Sequence, residues 1–376
     1  MDRMRIKTFL IGALLTLFFP IFASSSNLGK ETPVTLIYTS NTLGEAEPGC
    51  CSYTKGAGGL ARRAHYIKTV KKEANNLLIL DGGDALTGLS PNEMEKKNNQ
   101  KKAGVILKIY EKMGYDVLNI GDTDLQLGIE YLKALQKDSK IHFLSASLKD
   151  PKTGKTIFKP YFVKMMNGLK VGMIGLITPV GSPYTQKEAK KIKDFYIEDP
   201  VKAANETIHS FMSDCHHIIA LAHLSSSEIE SFAQKVPQIS VIIGGDDRTF
   251  MFPRKINHSI WVQTDSNGLR VGRLDLRLLK EASEFVDIMP MTLIKKNIEE
   301  IQKRMENSQS MKEIMDLKKM QDILQATLFE KKKKLPTKGK NTYKNVLTLL
   351  HPGMESDKEI EKLIDSSRDQ LKRPIP

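Results

Sequence analysis

The chain has 376 residues, 40% of them hydrophobic and 27% charged, which excludes wholesale disorder and allows one large domain or two modest ones. Its formal net charge of +13 would permit contact with nucleic acid or an anionic membrane surface. However, the basic residues form no stripe interleaved with aromatic residues, and no nucleic-acid motif occurs. We therefore expect a merely basic surface and no nucleic-acid partner.

The first 25 residues have the pattern of an export signal. Arg3, Arg5 and Lys7 precede an apolar run at 9–23, which small residues follow. The sequence thus predicts a signal peptide at 1–25 and a mature chain that is periplasmic or secreted, with no membrane span after cleavage. An uncleaved N-terminal anchor is the alternative, because Pro20 interrupts a run that is only marginally long enough to cross a bilayer.

From residue 34 to residue 280, strand patterns alternate with helix patterns. The predicted strands are 34–39, 76–80, 116–120, 142–145, 161–166, 169–177, 217–222, 239–244, 260–264 and 270–278, and the predicted helices are 59–74, 103–113, 129–136, 200–212 and 226–234. Asn167-Gly168 predicts a hairpin with a type I′ turn. The last two strands are expected to pair with each other in antiparallel fashion. Alternation combined with hairpins indicates a mixed sheet, or two stacked sheets, with outer helices.

After residue 289 the pattern becomes that of an amphipathic helix, with a break near 308–310. Apolar residues recur at three- and four-residue spacing from Ile294 to Leu328. This helix either packs back on the domain or self-associates as a coiled coil, although its heptads do not hold register. We expect a connector at 335–352 and a final helix at 356–371. The predicted organisation is thus a domain at 30–285 and a charged helical tail at 286–376.

Five of the apolar runs end in polar residues that are rich in aspartate. These runs are 36–45, 77–85, 117–125, 218–224 and 241–248. The ends of buried strands meet at one edge of a sheet, where α/β proteins place their sites. The sequence therefore predicts a site at this edge.

The motifs at these strand ends resemble those of the calcineurin-like metallophosphoesterases. In chain order they are T-S-N-T-L-G, G-G-L-A-R, D-G-G-D, G-D-T-D-L-Q-L-G, A-H-L and G-G-D-D-R, and the resemblance covers residues 33–280. The branch that they resemble is that of the exported 5′-nucleotidases and UDP-sugar hydrolases. The resemblance implies a four-layer α/β/β/α sandwich, here with a C-terminal helical extension, and hydrolysis of phosphate esters.

Members of that family bind two divalent metals, which activate a hydroxide and clamp the phosphate. Carried over motif by motif, Asn41 and Leu43 stand where the family has the first Asp and the first His. Arg248 stands at the position of the last His, and a guanidinium offers a metal no lone pair. The first metal site is therefore expected to keep only Asp84.

The second metal site would keep four ligands, namely Asp84, Asp122, His223 and Asp246. Three carboxylates and one imidazole form a hard donor set that suits a single Mn²⁺, Mg²⁺ or Ca²⁺ ion. Arg248 and Asn41 would then bind a small anionic substrate or ligand in place of the first metal. The alternative is that these aspartates only cap loops and pair with Arg62, Arg63 or Arg248.

Two functions stay open, because Thr123 stands where the family has the His that protonates the leaving group. The first is a divergent hydrolase with at most one divalent metal, acting on or binding a phosphate-type anion. The second is a catalytically inactive descendant, serving as a periplasmic binding or partner protein. The branch also carries a second domain whose aromatic residues hold the nucleobase; we expect the helical tail in its place, so nucleotide specificity is not carried over.

Three cysteines remain, Cys50, Cys51 and Cys215. One of the adjacent pair is expected to form a disulfide with Cys215, since a bond between neighbours is strained. The alternative is a thiol pair at the mouth of the site, with a redox-linked role. No C-x-x-C-H motif is present, which excludes covalently attached haem.

Overall fold

The computed structural model describes residues 30–49, 56–88, 93–178, 194–211, 214–308, 311–331 and 336–368. The predicted signal peptide at 1–25 and the pair Cys50 and Cys51 lie outside these ranges, so both stay predictions. Within the ranges that are described, no helix combines the length and the apolar character needed to cross a bilayer.

The described residues form strands and helices in alternation. The strands are β1 (Thr32–Thr39), β2 (Leu77–Asp81), β3 (Val117–Asn119), β4 (His142–Leu144), β5 (Leu148–Lys149), β6 (Tyr161–Met166), β7 (Leu169–Ile177), β8 (Tyr196–Ile197), β9 (His217–His223), β10 (Ile239–Gly244), β11 (Met251–Ile256), β12 (Ser259–Gln263), β13 (Arg270–Leu278), β14 (Phe285–Asp287) and β15 (Asn341–Leu349). The helices are α1 (Leu60–Glu73), α2 (Glu93–Met113), α3 (Ile129–Asp138), α4 (Pro200–Phe211), α5 (Ser226–Lys235), α6 (Met291–Asn307), α7 (Met311–Lys331) and α8 (Lys358–Ser366).

Two large mixed sheets organise the molecule. The first has the strand order β14-β15-β13-β1-β2-β3-β4, and the second has the order β11-β12-β10-β9-β7-β6. Strands β1 to β4 are parallel to one another, as are β7, β9, β10 and β12. Each sheet thus presents the carboxyl ends of several parallel strands along one edge.

The two sheets pack face to face, with helices on both outer surfaces. Leu36 and Tyr38 of β1 belong to the same buried cluster as Leu221 of β9 and Ile243 of β10. A second cluster joins α1, α2, α3 and α8 to the first sheet, and a third joins α4 and α5 to the second sheet. The four-layer α/β/β/α sandwich is confirmed.

Most of the predicted elements are confirmed to within a few residues, including the hairpin of β6 and β7. Its turn has positive φ at Asn167 (50°) and Gly168 (83°), as a type I′ turn requires. Helix α2 begins at Glu93, ten residues before the predicted start at 103. The expected pairing of 260–264 with 270–278 is wrong, because β12 pairs with β10 and β11, whereas β13 pairs with β1 and β15 in the other sheet.

The predicted connector at 335–352 is also wrong, because it contains β15. This strand lies between β13 and β14, and Tyr343 packs into the core between the sheets. Its pattern is weak because polar residues such as Asn341 and Asn345 are buried in it. The segment after residue 286 is therefore not helical throughout. The division of the chain at residue 285 stays a prediction.

The C-terminal extension includes two helices packed on each other, α6 ending at Asn307 and α7 beginning at Met311; residues 309–310 of the predicted break lie outside the described residues. Ile294 and Ile301 of α6 and Leu324 of α7 are buried in one cluster with Phe250 and Phe252. The helices therefore pack back on the domain, beside the second sheet. Self-association of this region stays a prediction.

Asn341 links β15 to the chain before β14. Its amide donates to the carbonyl of Ala282 at 2.7 Å and accepts from the backbone N–H of Leu279 at 2.8 Å. We expect Asn341→Ala to lower the free energy of unfolding by about 1–3 kcal/mol, because the buried N–H of Leu279 and the half-buried carbonyl of Ala282 each lose a hydrogen bond. Urea denaturation would measure this change. Lys344→Ala, on a half-exposed position of the same strand, is the control, and equal losses would contradict the prediction.

Candidate metal and anion site

The four predicted metal ligands come together at the carboxyl ends of parallel strands. His223 is the last residue of β9, Asp84 and Asp122 follow β2 and β3, and Asp246 follows β10. One ligand atom each from Asp84, Asp122 and His223 lies within 4.8 Å of the other two, and all three side chains are buried. The candidate site is thus assembled from both sheets.

A single imidazole nitrogen faces three carboxylates in this cluster. Nε2 of His223 lies 3.1 Å from Oδ1 of Asp122, 3.6 Å from Oδ2 of Asp84 and 3.7 Å from Oδ1 of Asp246. Nδ1 of His223 points away and has no hydrogen-bond partner among the described atoms. The ring therefore presents one nitrogen to the centre of the acidic cluster.

The loop that carries Asp84 is held by an aspartate that was not predicted as a site residue. Asp124 accepts from the backbone N–H groups of Asp84 (2.9 Å), Leu86 (2.9 Å) and Gly121 (3.1 Å). Asp84 in turn accepts from the backbone N–H of Thr123 at 2.9 Å. Asp124 therefore plays the loop-capping role that the alternative reading gave to all the aspartates. The sequence feature that could have identified Asp124 is its position two residues after Asp122, in the same strand-end loop.

Close packing leaves no space for larger residues around these loops. A Cβ at Gly121 would overlap the carboxylate of Asp84, and one at Gly83 would lie 3.2 Å from Nδ1 of His223. Asp84 itself has a left-handed backbone with φ of 57°. Such conformations persist only where the surroundings enforce them, and they are frequent at functional sites.

The burial of so many ionisable groups shifts their pKa values. Burial raises the pKa of Asp84 well above its usual range, and it also raises the pKa of Asp246. For His223, burial alone would lower the pKa, but attraction to Asp84, Asp122 and Asp246 outweighs it and raises the pKa to about 10. The cluster as a whole therefore binds positive charge strongly.

The donor set fits a single hard divalent ion. Three carboxylates converge on one imidazole nitrogen, and oxygen-rich sets of this kind suit Mn²⁺, Mg²⁺ or Ca²⁺. Asp84, Asp122 and His223 would hold the ion, with Asp246 as a fourth ligand. A divalent ion would supply the positive charge that an imidazolium proton otherwise provides.

The residues predicted to bind an anion lie beside this cluster. Nη2 of Arg248 is 3.5 Å from Oδ2 of Asp84, and its side chain is 39% exposed. The amide nitrogen of Asn41 donates to the carbonyl of Gly245, whereas Oδ1 of Asn41 is buried without a partner among the described atoms. Asn41, Leu43 and Arg248 have positive φ values of 52°, 55° and 55°.

The other candidate residues have different surroundings. The hydroxyl of Thr123 donates to the carbonyl of Thr87 at 2.8 Å. Cys215 precedes β9, at the opposite end of that strand from His223, and burial raises its pKa to about 11. Its expected partners, Cys50 and Cys51, lie outside the described residues, so the pairing stays a prediction.

Of the neighbouring arginines, Arg248 alone is seen with a site aspartate in the described part of the chain. Arg62 donates to the carbonyls of Gly56 at 2.6 Å and Gly58 at 3.0 Å, and Arg63 donates to Thr42 at 3.0 Å. The alternative reading, in which these arginines neutralise the aspartates, thus holds only for Arg248.

Comparison with known proteins identifies sequence relatives, although no family model matches the chain. The sequence is 29% identical over 221 residues to a 2′,3′-cyclic-nucleotide 2′-phosphodiesterase/3′-nucleotidase of Yersinia enterocolitica, which covers 52% of this chain and 33% of that protein. It is 26% identical over 239 residues to a 5′-nucleotidase of Rattus norvegicus, covering 59% of this chain and 39% of that protein. The matched region thus spans well under half the length of these relatives.

Solved structures show the same fold. A 5′-nucleotidase precursor of Thermus thermophilus superposes with a TM-score of 0.63 at 19% identity, covering 90% of this chain and 59% of that one. The calcineurin-like phosphoesterase YfkN of Bacillus subtilis superposes with a TM-score of 0.62 at 18% identity, covering 91% of this chain and 98% of that one. By its sequence relatives and its fold together, the chain is similar to the calcineurin-like metallophosphoesterases of the 5′-nucleotidase branch.

Proposed function

We propose that the chain is a single-metal member of its family that acts on a small phosphate ester. The observation that carries the proposal is the buried convergence of Asp84, Asp122 and His223 within 4.8 Å, with Asp246 beside them. A divalent ion bound there would polarise a phosphoryl oxygen as a Lewis acid. The proposal includes export, to the periplasm or the medium, on the pattern of residues 1–25.

The proposal assigns no metal to the first site of the family. Asn41 offers only a neutral amide, Leu43 offers no ligand atom, and Arg248 brings a fixed cation to within 3.5 Å of Asp84. A second divalent ion there would lack anionic ligands and would meet the guanidinium. Arg248 would instead supply the positive charge that such an ion places beside a bound phosphate.

The same residues can bind a phosphate-type anion. The guanidinium of Arg248 is partly exposed, and it can donate two parallel hydrogen bonds to phosphate oxygens. Asn41 lies in the neighbouring turn, where its amide donates to the carbonyl of Gly245.

One observation favours a second function, namely binding without catalysis. Thr123 takes the position of the family's acid, and its hydroxyl is already engaged with the carbonyl of Thr87. A threonine hydroxyl is also too weak an acid to protonate a leaving group at neutral pH. Hydrolysis by this site would thus be confined to esters with good leaving groups, such as aryl phosphates.

The metal stoichiometry tests the proposal. We expect one Mn²⁺ per chain at millimolar concentration, and we expect Asp84→Asn and His223→Ala each to abolish binding, since each removes a ligand from a set of four. Elemental analysis and calorimetry would measure this. Asp247→Asn is the matched control, because Asp247 is exposed in the same loop and accepts from Ser226. No bound metal, or two, in the unaltered protein would refute the proposal.

An assay with p-nitrophenyl phosphate separates the two functions. Turnover that depends on Mn²⁺ and is lost in Asp84→Asn would establish a hydrolase. Binding of inorganic phosphate without turnover, again lost in Asp84→Asn, would establish a binding protein.

A further inference from the structure

A cluster of buried polar side chains lies directly behind the candidate site. Arg63 of α1 is fully buried, and its Nη1 donates to the hydroxyl of Tyr110 at 2.9 Å. The hydroxyl of Tyr110 also lies 3.1 Å from Oδ2 of Asp81, and its ring stacks on that of Tyr115 with centroids 4.1 Å apart. A buried guanidinium is costly unless it is fully partnered, so this arrangement calls for a reason beyond packing.

The cluster converges on the hydroxyl of Thr42, in the loop after β1. Oγ1 of Thr42 accepts from Nη2 of Arg63 at 3.0 Å and from the hydroxyl of Tyr110 at 2.7 Å. Thr42 is itself fully buried. One side-chain oxygen in this loop is therefore fixed by two donors from two different helices, α1 and α2.

Thr42 stands in the middle of a strained turn. Asn41 before it and Leu43 after it have left-handed φ values of 52° and 55°, and leucine in particular rarely adopts such a conformation. The backbone N–H groups of Asn41 and Leu43 donate to the carbonyls of Gly83 and Asp84. The backbone of the turn is thus bonded to the loop that carries Asp84. The side chain of Thr42 bonds the turn to Arg63 and Tyr110.

We propose that Thr42 and Arg63 are positioning residues for the anion site, an inference that rests on the proposed function. Their hydrogen bond holds the turn in the conformation that places Asn41 against Gly83 and Gly245, in the loops that carry Asp84 and Asp246. Neither residue touches the anion. The turn bonds only to backbone carbonyls of the loop that carries Asp84, whereas the carboxylate of Asp84 is held by the N–H of Thr123 and its own N–H by Asp124, so we expect the metal ligands to keep their places without this bond.

Thr42→Val tests this inference, because it removes the hydroxyl and keeps the size and branching of the side chain. Thr39→Val is the matched control. The hydroxyl of Thr39 belongs to the same buried cluster, donating to Asp81 at 2.6 Å and lying 2.9 Å from that of Tyr115, but no bond from it reaches the Asn41 turn. Calorimetry would give the Kd for Mn²⁺ and, with Mn²⁺ saturating, the Kd for inorganic phosphate. Urea denaturation would compare the stabilities.

We expect Thr42→Val to raise the phosphate Kd about tenfold and to leave the Mn²⁺ Kd unchanged. Thr39→Val should leave both Kd values unchanged, although it should lose about as much stability as Thr42→Val. Thr42→Ser, which keeps the hydroxyl, should bind phosphate as the unaltered protein does. Equal phosphate constants in the two valine variants would overturn this inference while leaving the proposed function intact. An unaltered protein that binds neither Mn²⁺ nor phosphate would overturn both.

Discussion

Introducing three ligands beside Asp84, as the first metal site of the similar phosphoesterases is expected to have, should give the chain a second metal and speed hydrolysis of an aryl phosphate at least about 100-fold. The changes are Asn41→Asp, Leu43→His and Arg248→His. They add three ligands around Asp84 and remove the guanidinium that now lies 3.5 Å from it. All three backbones are left-handed, a conformation that Asp and His adopt more readily than Leu or Arg. The fold should therefore accept the changes.

The measurement is the Mn²⁺ stoichiometry, which should rise from one to two, together with turnover of p-nitrophenyl phosphate. Alkyl phosphates should stay slow, because Thr123 still supplies no proton to the leaving group. The triple variant that also carries Asp84→Asn is the control and should lose both gains. A second bound metal without faster aryl phosphate turnover would contradict the assignment of these positions to the reaction centre.

The candidate site was predictable from sequence because its residues mark strand ends. Asp84, Asp122, His223 and Asp246 each follow or close a run of buried apolar residues, and parallel strands bring such ends to one edge. Their convergence therefore needed no knowledge of side-chain packing.

The supporting residues were not predictable in the same way. Arg63 lies on a helix rich in basic residues, and nothing in its spacing distinguishes a fully buried guanidinium from an exposed one. Tyr110 and Tyr115, which contact it, are 47 and 52 residues away in sequence. Such partners are set by the packing of α1 against α2, which periodicity does not specify.

Sheet membership was the other weak point. The apolar runs of β12 and β13 identify both as strands, but a run of apolar residues does not encode which strand it pairs with. Strand β15 was missed for a related reason. Its buried Asn341 and Asn345 satisfy hydrogen bonds across the chain, to Leu279 and Tyr38, and thereby break the apolar alternation.

The metal-free protein is expected to lose stability as the pH rises from 6 to 9. The pKa of His223 is raised from 6.5 to about 10 in the folded state. Its contribution to the free energy of unfolding is therefore complete below pH 6.5 and is lost as the pH approaches 10. The pKa values of Asp84 and Asp246 are also raised, chiefly by burial, so these groups too hold protons more tightly when folded. All three contributions therefore fall with increasing pH. The loss due to His223 alone is on the order of 3–5 kcal/mol.

Urea denaturation in EDTA at pH 6, 7.5 and 9 would measure this loss. A divalent ion should cancel it, because the ion binds the deprotonated ligands and stabilises the folded state in proportion to its occupancy. With saturating Mn²⁺ we expect stability to stay level or to rise over the same range. Asp247→Asn should retain the loss in EDTA, since its carboxylate is exposed and bonded to Ser226. A stability in EDTA that does not change with pH would mean that the buried carboxylates do not hold His223 in its charged form, and the electrostatic case for a cation at this centre would fail.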